Sequence, residues 1–128
     1  HDVDPMFGTL DDFKALVARA HELGLKVMID QVLSHTSDQH AWFQAARRAP
    51  KDSRKRDWYV WSDDPKRYAG TRIIFTDTEK SNWTWDPEAG QFYWHRFFSH
   101  QPDLNFDNPR VVSALVQVMK RWLDTGGF

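Results

Sequence analysis

The stretch Leu25-Lys-Val-Met-Ile-Asp-Gln-Val-Leu-Ser-His-Thr-Ser37 decides how the rest of the chain is read. It opens behind Gly24 as an apolar run of strand length, carries Asp30 inside the run, and ends in Ser34 and His35. A short apolar run bounded by Gly and by polar residues predicts a strand buried in a parallel sheet. In barrels and open α/β sheets, ligands meet the carboxyl ends of such strands. The end of Val27–Leu33 is therefore where ligand contacts are expected.

Upstream, Asp2, Asp4, Pro5 and Gly8 are loop residues. Thr9 and Asp12 stand at capping-box spacing ahead of Phe13, Leu16, Val17, Ala20 and Leu23, which share one helical face. Gly24 supplies a left-handed stop. Helix, Gly, short loop and buried strand make half of a β/α repeat.

Downstream the pattern changes. Thr36 or Ser37 is placed to cap a short helix reaching Ala46. The run Arg47–Arg56 is basic and polar, and such runs are usually solvated surface loops. Trp58-Tyr-Val-Trp61 and Arg72-Ile-Ile-Phe75 are short and β-prone. Asn82–Asp86 and Gln91–Phe97 flank Pro87-Glu-Ala-Gly90, which predicts a hairpin with a four-residue turn and with Trp83, Trp85 and Trp94 as core. Order returns at Asn108, a helix cap followed by Pro109 at the first helical position. Val112, Leu115, Val116, Met119, Trp122 and Leu123 then form an apolar stripe, and Gly126 or Gly127 ends the helix.

Composition narrows the function classes. The chain has 128 residues, 41% hydrophobic and 27% charged, with a net charge of −1, so nothing biases it toward nucleic acid or a membrane surface. No apolar run reaches the roughly 20 residues of a membrane-spanning helix. There is no cysteine, which excludes disulfides and thiolate metal sites and is compatible with a cytoplasmic setting. Fifteen of the 19 aromatic residues fall between Trp42 and Phe106. The start at His1 and the stop at Thr125-Gly-Gly-Phe128 read as cuts through a larger protein. A long irregular excursion between a buried strand and a helix is usually functional, and on a barrel it lies on the catalytic face.

These residues also carry a family likeness. Ile29-Asp-Gln-Val-Leu-Ser-His35 resembles the first motif region of the α-amylase superfamily (glycoside hydrolase family 13). Gln101-Pro-Asp-Leu-Asn105 is similar to the short motif near the end of that family's domain B, in its trehalose synthase and α-glucosidase branch. Asp2-Val-Asp-Pro-Met-Phe-Gly-Thr-Leu-Asp-Asp-Phe13 resembles the approach to the second barrel helix. The resemblance runs from end to end. It implies an α/β fold, a partial (β/α)8 TIM barrel with an irregular, aromatic-rich domain B excursion between strand 3 and helix 3. Residues 1–35 would be barrel segment with helix 2 and strand 3, 36–107 the excursion, and 108–128 helix 3 with the start of strand 4.

The resemblance further implies a retaining mechanism with two carboxylates that lie outside this chain. No catalytic residue is assigned here, and the segment alone is expected to be inactive. His35 is implied as a substrate-binding residue holding the sugar ring where the bond breaks. Phe97 is implied as a second substrate contact, although a hairpin core position explains it as well. Asp30 and Gln101 are expected to be structural members of the site. The family often places Asn where Ser34 stands and binds a structural Ca2+ there, with Asp103 at a second ligand position. A serine hydroxyl is a poorer calcium ligand than an amide carbonyl, so Ser34 argues against that ion, and Asp103 reads equally as a brace for its loop. No cofactor is expected for the chemistry. His40, His95 and His100 are too scattered for a transition-metal site.

Two activities compete. The stretch Val27–His40 is most similar to bacterial α-glucosidases. Arg72–Asp86 and Tyr93–Asn105 resemble trehalose synthases, and this excursion shapes the substrate pocket. Maltose to trehalose isomerisation is therefore the first expectation and hydrolysis of short α-glucosides the second. A non-catalytic scaffold on the same barrel is the third. The expected partners are maltose, trehalose or other short α-glucosides, with neither nucleic acid nor membrane; oligomeric state is not legible.

Overall fold

The computed structural model describes residues 2–126. The beginning of a strand after Gly127 falls outside them. The chain divides into two compact units, His1–Gln31 with Ser113–Phe128, and Val32–Val112.

In the first unit, α1 spans Leu10–Glu22. It begins where the sequence predicts. The Thr9 hydroxyl accepts the Asp12 amide, and the Asp12 carboxylate accepts the Thr9 amide at 2.8 Å. This satisfies two of the donors that a helix start leaves unpaired. Gly8 leads into this cap at φ +122°, and a side chain there would start 2.7 Å from the Asp12 carboxylate. Gly24, at φ +74°, provides the left-handed stop. Val17 is buried, and the Phe13 ring meets Trp122 edge-on at 5.8 Å. Among the described residues no helix is long and apolar enough to cross a membrane.

The run after Gly24 departs from expectation. Residues 25–33 form no strand, and Leu25, Met28 and Val32 are exposed, Met28 at 94%. The reason is that a strand exists only as a member of a ladder, and a parallel strand needs neighbours. No described residue pairs with this run.

The second unit holds α2 (Ala41–Arg48), a 3-10 turn (Arg56–Trp58), and three short strands: β1 (Trp61–Ser62), β2 (Trp83–Asp86) and β3 (Gln91–Trp94). The sheet order is β1-β3-β2, all antiparallel, with Trp83 opposite Trp94 and Asp86 opposite Gln91. This is the expected hairpin, and Gly90 closes its turn at φ +66°. Its core is only partly as read: Trp83 is buried, but Trp85 is half exposed and pairs with Phe92 on the outer face. In a strand, successive residues face opposite ways, so Trp83 and Trp85 share a face, and only Trp83 is covered, by Tyr68 and Trp94. The Arg72–Phe75 run forms no strand either; Phe75 instead stacks flat on Phe98 at 4.4 Å.

Helix α2 starts later than expected. Ser37 closes a turn of its own, accepting the Gln39 amide on its hydroxyl and the His40 amide on its carbonyl. His40 therefore becomes the cap, with Nδ1 accepting the Trp42 amide. Phe43 is the hub of the core, with the rings of Tyr59, Trp61 and Tyr93 at 5.1, 5.7 and 5.2 Å. Each such pair adds about 0.5–1.5 kcal/mol beyond area burial.

The Arg47–Arg56 run is not simply a solvated loop. Arg47 ends on α2 and forms a two-pronged pair with the fully buried Asp86 carboxylate, at 3.0 and 2.8 Å. Arg56 is buried and donates to the carbonyls of Ala46, Ala49 and Ala89 and to the Gln91 amide oxygen. A buried cation is tolerable only when its donors are this fully used.

Helix α3 spans Pro109–Gly126. The Asn108 side chain accepts the Arg110 amide at 3.0 Å, as a cap should. Val111 and Leu115 are buried, while Val112, Val116, Met119 and Leu123 of the expected stripe remain exposed.

Candidate active-site wall

The segment after the unpaired run docks against the Gln101–Asn105 motif. The Thr36 amide donates to the Pro102 carbonyl, the Leu104 amide to the Ser34 carbonyl, and the Asp38 amide to the His100 carbonyl. His35 and Asp103 face each other as an antiparallel bridge. Buried Pro102 and Leu104 anchor this seam, and Leu104 bridges in turn to Tyr59. Tyr59 shares a 2.7 Å hydrogen bond with the Thr36 hydroxyl, and burial pushes its phenol up to about 12.

On this seam the His35 ring lies 5.2 Å from the Phe97 ring, tilted by 57°. The wall continues outward. Phe97 meets Phe75 at 6.0 Å, Phe75 stacks on Phe98, and Phe98 stacks on His100. Phe75 and Phe98 were not legible as site residues. The only signal at Phe75 was a β-prone run, and the ring was recruited by stacking rather than by a ladder.

Burial holds the His35 imidazole below its ordinary value and so favours the neutral ring. Its Nδ1 shares a 3.0 Å hydrogen bond with the Ser34 hydroxyl. A neutral imidazole beside an aromatic face suits a sugar: the ring nitrogen bonds a hydroxyl and the aromatic face packs on C–H groups.

The other expected members divide. Gln101 lies on the seam, half-buried, its backbone N–H donating to the Phe98 carbonyl. Asp30 belongs to the other compact unit and is exposed, not enclosed in a strand, for the reason given for residues 25–33. A cleft elsewhere in the second unit, lined by Asp57, Trp61, Tyr68, Trp94 and Arg110, includes neither His35 nor Phe97.

The residues at the calcium position do not fit that ion. Burial pushes the Asp103 carboxyl up to about 6, offset only in part by the Arg96 amide, which it accepts at 3.3 Å, and by the Arg96 charge. Ser34 spends its hydroxyl on His35. Calcium asks for six to eight oxygens, and a nearby guanidinium opposes it. No group of three or more His, Cys, Asp or Glu side chains among the described residues could hold a metal.

Comparison with known proteins places the chain in a family. The α-amylase catalytic-domain model matches residues 1–128. A trehalose synthase/amylase of Mycolicibacterium smegmatis is 57% identical over 98% of this chain and 21% of its own length. A probable α-glucosidase of Rhizobium meliloti is 50% identical over 98% of this chain and 22% of its own. The crystal structure of the α-glucosyl transfer enzyme XgtA superposes with a TM-score of 0.84 at 49% identity, covering 98% of this chain and 23% of that one. The chain thus spans about a fifth of the length of the relatives it matches, and its fold is a partial (β/α)8 barrel. With the family model matched along the whole chain, and relatives of high identity on every side of it, the chain belongs to the α-amylase catalytic-domain family.

Proposed function

We propose that this chain is the substrate-facing segment of a longer retaining α-glucoside enzyme of the trehalose synthase type, which isomerises maltose to trehalose. Residues 36–107 are its domain B, set between the barrel segments 1–35 and 108–128. The observation that carries the reading is the His35 imidazole held against the Phe97 ring on the seam with residues 100–104. The identity to trehalose synthase relatives supports it.

In this reading His35 donates to a hydroxyl of the reacting glucosyl ring and Phe97 packs on its apolar face. The ring is thereby fixed where the glycosidic bond breaks, which lowers the barrier by positioning. One carboxylate attacks the anomeric carbon and another protonates the departing oxygen. Both come from sequence outside this chain. The chemistry uses no cofactor, and Asp103 braces its loop without calcium.

The α-glucosidase reading has its own support in the Val27–His40 stretch and in the Rhizobium meliloti relative. The complete reading frame, incubated with maltose, separates the readings. Trehalose as the main product supports the synthase, and glucose alone supports the hydrolase. Neither product, from a folded protein, sinks both and leaves a non-catalytic scaffold. The present chain alone should give no turnover above a blank.

A further inference from the structure

We propose that His95 is a positioning residue for this wall: wedged between Thr84 and the Phe97 carbonyl, it sets where the Phe97 ring stands against His35. The inference rests on the reading of His35 and Phe97 as the sugar contacts.

His95 follows β3 and is completely buried. Its backbone amide donates to the Asn82 carbonyl at 2.8 Å, which continues the pairing with the β2 side of the hairpin. Both ring nitrogens are engaged. Nδ1 lies 2.9 Å from the Phe97 carbonyl oxygen and Nε2 lies 2.8 Å from the Thr84 hydroxyl. A carbonyl oxygen only accepts, so Nδ1 must carry the hydrogen. Burial favours the neutral ring, against the Phe97 carbonyl and the Glu79 charge, and so leaves Nε2 a lone pair that the Thr84 hydroxyl fills as donor. The tautomer is thus determined by its two neighbours. Thr84 sits on β2 opposite Tyr93, so the ring is fixed from the sheet.

The consequence lies two residues on. The ring pins the backbone at Phe97, beyond the last sheet residue, Trp94. Phe97 then reaches His35 at 5.2 Å and Phe75 at 6.0 Å. His95 itself is sealed from any ligand. It acts only through Phe97, and Thr84 acts only through His95.

Two substitutions in the complete protein separate positioning from bulk stability. His95→Asn keeps a donor where Nδ1 stands, while His95→Gln keeps a polar group where Nε2 stands and gives up the bond to Phe97. Both lower the melting temperature. If His95 positions Phe97, the Asn variant keeps KM for maltose within about twofold of the parent, and the Gln variant raises it about tenfold, the size of one lost hydrogen bond. Equal KM values in the two variants, with only the melting temperature moved, overturn the inference.

Nitrogen-15 spectra of the histidine rings decide the matter independently of turnover. The His95 signals should be those of a neutral ring protonated on Nδ1, and the His35 ring signals should shift in His95→Gln but stay in place in His95→Asn. An Nε2-protonated His95, or a His35 ring indifferent to both variants, refutes the proposal. A parent protein that folds but leaves maltose and other short α-glucosides untouched refutes the function reading instead, and the spectra still answer the question about His95.

Discussion

At the scale of single residues, the charged groups of the second unit carry consequences that their sequence context concealed. Arg47 covers the fully buried Asp86 carboxylate with two hydrogen bonds, and removing one member of a buried pair leaves an uncompensated charge. Arg47→Met should therefore cost about 3 kcal/mol of stability, read from denaturant unfolding, whereas the exposed Arg48→Met should cost under about 0.5 kcal/mol. Asp103 behaves in the opposite sense. Its carboxyl sits at about 6, above the ordinary 3.8, because burial disfavours its charge. Between those values the folded chain keeps a proton that the unfolded chain has released, so stability falls as pH rises from about 4 to about 6 and stays lowered above that. Asp103→Asn should match the parent near pH 4 and melt higher than the parent at pH 7.5, with or without added calcium. A parent melting temperature raised by calcium at pH 7.5, with Asp103→Asn indifferent to calcium, would mean that the ion does bind there. Of the candidate site residues, His35 and Phe97 could be singled out because stretches of family resemblance carry them. Arg47 and Arg56 were not, because a basic run looks the same whether it meets water or meets carbonyl groups 33 residues away, as Arg56 does at Ala89.

At the scale of elements, what could be read from sequence was whatever is decided locally. The capping box at Thr9, the Asn108 cap and the hairpin around Pro87–Gly90 each depend on residues within a few positions of one another. Gly90 is the clearest case. Its φ of +66° lies in the left-handed region, open space surrounds the position of a Cβ, and its amide donates to the Asp86 carbonyl at 2.8 Å. Gly90→Ala should therefore lose about 1 kcal/mol through backbone strain alone, with no steric clash added. Gly90→Asn, which tolerates this region better, should lose less, and equal losses for the two would point away from strain. The elements that misled were those needing distant partners. Arg72–Phe75 had strand composition but no ladder to join, and Phe75 went to an aromatic stack. Helix α2 began at Ala41 because Ser37 took a turn of its own, a competition that cap preference alone does not decide.

At the scale of the whole molecule, the sequence promised more buried surface than the described residues provide. Residues 25–33 read as a buried parallel strand, yet Leu25, Met28 and Val32 are open to solvent. On α1, Leu16 and Leu23 are exposed, and on α3 so are Val112, Val116, Met119 and Leu123. Apolar residues do recur in these segments at the spacing of buried faces. What pattern cannot supply is the neighbour that covers them, and parallel-sheet strands depend on neighbours more than any other element. Monomeric soluble proteins seldom expose apolar patches beyond a few hundred Å2. Produced alone, this chain should bind an anilinonaphthalene sulfonate dye and elute from size exclusion as concentration-dependent oligomers. Substituting Met28 and Val32 by Lys should reduce both signals without disturbing the second unit's aromatic core, whose near-ultraviolet circular dichroism should be retained because Phe43, Tyr59, Trp61 and Tyr93 pack within Val32–Val112. A dye-silent monomer with one sharp thermal transition would show that the chain covers these faces by itself, and the burial argument for residues 25–33 would fail with it.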